Sequence, residues 1–170
     1  MTTVNATAHP VPPPPPRADT YRLGLPNTAA APKVARDFVS SLLGVNRHTA
    51  LIADARLCVT EVVTNAHRHT GTPLIRVHVT VDRKRVTVCV ADDEPWSLPV
   101  AVSGTGTGTG PGAAAGGGGP EEGVSGRGLL LVASLAWAWR AVVHGGHGGR
   151  VPRHKVVWFT LTKPTLLEAA

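Results

Sequence analysis

The chain has 170 residues, 42% of them hydrophobic, and a net charge of +6, which suits one folded domain with a real core. No apolar run reaches the roughly 18 residues needed to cross a bilayer. The N-terminus also lacks the charged-then-apolar order of a signal peptide, so a cytoplasmic protein without a membrane partner is expected.

The basic residues are scattered, apart from short clusters at 83–85 and 150–155, and aromatics make up only 4% of the chain. Base-stacking platforms are therefore scarce, which argues against direct nucleic-acid binding. Cys58 and Cys89 sit inside apolar patterns without metal-type spacing and read as two buried thiols in a reducing compartment.

The first predicted segment, residues 1–19, contains HPVPPPPPRAD, a polyproline II-prone tail that cannot build a core. A short strand follows in TYRLGLP, ended by Pro26. NTAAAPKVARDFVSSLLG is a helix, capped by Asn27 or Thr28 and stopped by Gly44. TALIADARLCVTEVVTNAHRHTG is a second helix, stopped by Gly71, with Leu51, Ala55, Val59, Val62 and Ala66 on one core-facing stripe. LIRVHVTVDRKRVTVCVAD alternates strongly and turns near residues 82–84, so it reads as a hairpin. Residues 103–126 are a Gly/Thr/Ala tract, and so long a loop inside a domain is either a functional segment or disorder. GRGLLLVASLAWAW is a third helix, and RAVVHGG and HKVVWFTLT are two closing strands. These elements predict an α/β two-layer sandwich over residues 20–162: a mixed, mainly antiparallel sheet of about five strands with three helices on one face. Residues 163–170 form a C-terminal tail.

Three constellations carry chemistry. Glu61 and Asn65 lie one turn apart on the edge of the second helix's apolar stripe, where they would emerge at the rim between helix and sheet. An isolated E-x-x-x-N is more often a solvated pair. Asp92 ends a buried strand, where an acceptor-only carboxylate could bind an exocyclic amine, although DDEP is equally good turn chemistry. In GVSGRGLLLV, glycines 126 and 128 open an apolar helix, and bare backbone N–H groups at a positive dipole end make a phosphate cradle. Arg127, between them, could add a bidentate phosphate contact. The sequence has no Walker loop, no dinucleotide fingerprint and no nucleophile elbow. The histidines at 67, 69, 144 and 147 lack the convergent thiolates of a structural zinc site.

The order of these motifs is more telling than any one of them. TEVVTNAHRH, then strand and Asp92, then a Gly-rich tract, then GRGLLLV, then KVVWF, resembles the Bergerat-type ATP-binding domain shared by gyrase, histidine kinases and anti-sigma-factor serine kinases. Within it the chain resembles in particular the short, free-standing actinobacterial members of the anti-sigma regulatory group, over about residues 20–162.

The resemblance implies ATP and Mg²⁺ as ligands. It makes Glu61 the general base and Asn65 the ligand to the magnesium that bridges the phosphates. His69 closes that first motif, and Asp92 becomes the acceptor for the adenine amino group. Gly126, Arg127, Gly128 and Leu129 become the second glycine box, and residues 100–125 the ATP lid. DDEPW stands where D-x-G-x-G is usual, and HKVVW where G-K-T-V-W is usual, with His154 and Val156 as the departures.

The implied activity is that of a serine/threonine kinase which phosphorylates a small antagonist protein and controls a sigma factor, with a homodimer also allowed. The competing class is a non-catalytic, ATP-dependent protein-binding switch.

Overall fold

The computed structural model describes residue 14 and residues 18–94, 125–144 and 154–163, with the side chains of 125–127 and 144 outside that set. In chain order the elements are β1 (Asp19–Pro26), α1 (Ala31–Val45), a 3-10 turn (Thr49–Leu51), α2 (Ile52–His69), β2 (Leu74–Val81), β3 (Arg85–Asp92), α3 (Ser125–Leu135), β4 (Ala138–His144) and β5 (His154–Thr162). The five strands form one sheet in the order β1-β2-β3-β5-β4, and every pairing is antiparallel, so the mixed sheet expected from the sequence is wholly antiparallel here.

Side-chain alternation decides which face is covered. Ile75, Val77, Val79 and Val81 of β2 and Val86, Val88 and Val90 of β3 are all buried, and register puts Val157, Phe159 and Leu161 of β5 beside them. The stripe predicted on α2 (Leu51, Ala55, Val59, Val62, Ala66) is buried against this face, joined by Cys58 and Val63. From α1 come Ala31, Ala35, Val39 and Leu43, spaced four apart, and from α3 comes Val132.

Several expectations need correcting. The α1 cap is neither Asn27 nor Thr28: the helix begins after Ala30 with Pro32 in its first turn, whose fixed φ suits that position. Asn27 instead donates its amide to the carbonyls of Thr70 (3.2 Å) and Thr72 (2.8 Å), and its Oδ1 lies 2.7 Å from His67 Nδ1. These bonds fasten the β1–α1 loop to the end of α2. Gly44 lies inside α1, and α2 ends at His69 with extended Thr70 as its cap rather than at Gly71. The third helix is shorter than expected. It stops at Leu135, leaving Trp137 67% exposed and Trp139 in β4, because pairing with β5 satisfies that backbone. Cys58 is buried, but Cys89 is only half-buried, since strand alternation turns it to the face away from the helices. Residues 1–13, most of the expected lid and the 163–170 tail beyond Lys163 lie outside the described residues.

Candidate functional site

One end of the sheet gathers the predicted residues. β3 runs antiparallel to β2, so the last residue of β3, Asp92, lies at the end where β2 starts, and α2 enters β2 there through residues 70–73. Two contacts tie this end together. The Thr72 hydroxyl donates to Asp93 at 3.1 Å, and Gly71 lies beside the Glu94 carboxylate. The C-terminal half of α2, which carries Glu61, Asn65 and His69, therefore runs toward the end of β3. Glu61 and Asn65 are half-buried, as a rim position requires, and His69 is exposed.

Glu61 is held against the start of α3. Gly128 is buried, and a methyl group added there would collide with the Glu61 carboxylate, whose Cδ would lie only 3.1 Å away. Glycine is thus needed at 128 for close approach rather than for an unusual backbone angle. The Leu129 side chain is 1% exposed and anchors α3 in the interior. Gly126 and Arg127 fall in the first turn of α3, and the side chain of Arg127 is outside the described set.

Asp92 is 1% exposed and faces the helices at the end of an otherwise apolar row. Its Oδ1 accepts the Glu94 backbone N–H at 3.0 Å, a strand-ending turn, while its Oδ2 lies 3.3 Å from Lys155 Nζ. Burial pushes the Asp92 carboxyl above the ordinary carboxylate range, opposed by the Glu94 N–H and the Lys155 charge. Lys155, itself 4% exposed, is the register partner of Asp92 across β3 and β5. Sequence reasoning missed this residue and weighed only its neighbours His154 and Val156. The available signal was a lysine set into the apolar run of the last strand, which an apolar layer tolerates only with a partner.

The donor set fits ATP and magnesium in kind. The set comprises an acceptor-only carboxylate, glycine backbone with no room for a Cβ, and an amide side chain one turn from Glu61. Among the described residues no cluster of three His, Cys, Asp or Glu could hold a metal by itself. Magnesium commonly takes only one or two protein ligands, with phosphates and water completing its shell. No described helix is long and apolar enough to cross a membrane.

No curated protein matches the chain. The family model described as Histidine kinase-like ATPase domain matches residues 25–153, more than half of the chain, from the end of β1 to the start of β5. The chain therefore belongs to the histidine kinase-like ATPase domain family, and that membership implies ATP binding.

Proposed function

We propose that the chain is an ATP-binding regulatory protein of the anti-sigma type, a serine/threonine kinase acting on a small antagonist protein and thereby controlling a sigma factor. The observation that carries this reading is the Glu61 carboxylate seated against Gly128 at the start of α3. In a pure binding module such a carboxylate offers the helix only the modest stabilisation of its dipole while competing with phosphate for the same N–H groups. A kinase needs one there to receive a proton.

Bound ATP, with Mg²⁺, supplies the γ-phosphoryl group. Glu61 takes the proton from the attacking serine or threonine hydroxyl as its oxygen bonds to phosphorus and ADP leaves. Asn65 would hold the metal through its amide oxygen, with His69 one turn further along α2. Asp92 accepts from the amino group of the base. The backbone N–H groups of residues 126–128, with Arg127, hold phosphate oxygens.

A non-catalytic nucleotide switch is the second reading. The ion pair between Lys155 and Asp92 favours it, because that pair engages one of the carboxylate oxygens.

The test uses γ-labelled ATP, the purified chain and a lysate of its native cell. Wild type should label a small protein on serine or threonine, and Glu61→Gln should label it about 10²–10⁴ more slowly. Calorimetry should find nucleotide binding unchanged in that variant. Equal labelling by both proteins removes Glu61 from the mechanism, and no labelled partner with either protein supports the switch.

A further inference from the structure

α2 buries one face against the sheet, and a groove of about 710 Å³ lies on its other side, beside α1. Ile52, Arg56, Leu57, Thr60 and Glu61 of α2 line it, with Arg36 from α1. Steps of three and four residues put the α2 members on one face, so the groove follows the helix toward Glu61. Glu61 thus has Gly128 of α3 against its carboxylate and this groove on its other flank. Among the described residues neither Arg36 nor Arg56 forms an ion pair. Asp37, next to Arg36 in sequence, is bonded to Lys33 at 2.8 Å instead. Arg36 is half-buried, and its Nε is out of water with no partner among the described residues. A donor withdrawn from water without a bond carries a cost that an arriving acceptor relieves. Leu57, 48% exposed, adds apolar surface. Two uncommitted guanidinium groups and an apolar strip therefore lead to the carboxylate that receives a proton.

We propose that this groove admits the acceptor protein by a segment that carries carboxylates, which Arg36 and Arg56 hold while its serine or threonine hydroxyl reaches Glu61. This rests on the kinase reading given above and adds the class of substrate, an acidic one. Phosphate and hydroxyl then approach Glu61 from different sides, the first from the start of α3 and the second along the outer face of α2. The hydroxyl oxygen bonds to phosphorus, the bond to the departing ADP oxygen breaks, and the proton passes to Glu61. A guanidinium fork matches a carboxylate with two parallel bonds, which suits arginine to this grip. The net charge of +6 also draws an acidic partner toward the chain. Glu61 repels a carboxylate placed directly beside the hydroxyl. Arg56 precedes it by five residues, about 7.5 Å along a helix. In an extended segment the carboxylate held by Arg56 therefore stands about two to three residues from the hydroxyl.

The test purifies the protein that the full wild-type chain labels in the native lysate and measures its steady-state labelling at saturating MgATP. Arg56→Glu should raise the acceptor's KM about tenfold or more, because like charges then meet. Its kcat should change less than about twofold, and calorimetry should find MgATP affinity unchanged, since only binding of the acceptor is lost. Arg56→Lys should recover most of the loss. Neutralising an acidic residue of the acceptor two or three positions from the labelled hydroxyl should weaken it toward wild type but little further toward Arg56→Glu. Arg56 is exposed, so the variant should fold as wild type does, which thermal melting checks. Should it melt early, Arg56→Gln asks the same question with a rise in KM of about three- to tenfold. An unchanged KM in the folded variant overturns the proposal and leaves the kinase reading intact. So does a loss of MgATP affinity in its place, which assigns Arg56 to the phosphates. Wild type that binds MgATP but labels no acceptor removes the kinase reading and the proposal together.

Discussion

At the hairpin end of the sheet, His48 is 2% exposed and donates from Nε2 to the Asp82 carbonyl at 2.8 Å, while its Nδ1 is buried without a partner. Asp82 closes the same turn by accepting the N–H groups of Lys84 and Arg85 at 2.7 Å each. At the opposite end the buried polar groups are a carboxylate and an ammonium, and a further carboxylate is pressed against a helix N-terminus. Both ends take polar groups out of water. The hairpin end buries a histidine ring held by one backbone carbonyl. The other end buries charges, whose desolvation cost their mutual attraction and the Glu94 N–H offset in part. One end thus holds a single neutral ring by a backbone carbonyl, and the other holds a charged pair braced by the Glu94 N–H.

The sharpest way to break this contrast is at Gly128. Alanine is the better helix former by up to about 1 kcal/mol, so Gly128→Ala should fold at least as well as wild type. The new methyl group nevertheless needs the space that Glu61 occupies, and a misplacement of about 1 Å in a reacting group can cost roughly 10² in rate. Thermal melting together with labelling of the partner protein separates the two effects. A variant that is stable and fully active would show that the seat of Glu61 has no bearing on the reaction.

His48 should give the smaller effect, and on stability alone. Burial holds its pKa below the ordinary 6.5, with the Lys163 charge adding and the Asp82 carbonyl and charge opposing. The unfolded chain therefore binds more protons than the folded one just below pH 6.5, so stability falls as pH drops through that region and is full above it. His48→Phe should lose about 1 kcal/mol at pH 8, where the hydrogen bond is gone, and should show a flatter acid limb. Denaturant titrations at a series of pH values measure both. An acid limb unchanged by the substitution would place the acid sensitivity elsewhere.

Most of the fold was legible in the sequence because its signals are local. Strand alternation in β2 and β3 and the apolar stripe of α2 were read directly, and β5 was found over the residues it occupies. The helix ends were less legible. Pro32 outweighed Asn27 as a start signal, and the end of α3 depends on β5, a partner distant in sequence. The site divided in the same way. Glu61 and Asn65 could be placed on a rim from helical geometry alone, and Asp92 could be placed at a strand end. Lys155 could not be assigned a partner until register was known, because Asp92 lies more than sixty positions earlier in the chain. The burial of Leu129 was not read from the glycine box, because its side chain follows the helical pattern inward.

The most direct test is calorimetric titration of MgATP into the wild-type chain and into Asp92→Asn, with and without magnesium. If the charged end of the sheet is a nucleotide site, wild type binds ATP more tightly with magnesium than without. Asp92→Asn should then bind about 10- to 100-fold more weakly, the equivalent of losing one charge-assisted hydrogen bond of about 1.5–3 kcal/mol. Identical titrations for the two proteins, or no heat from either at millimolar ATP, would contradict it.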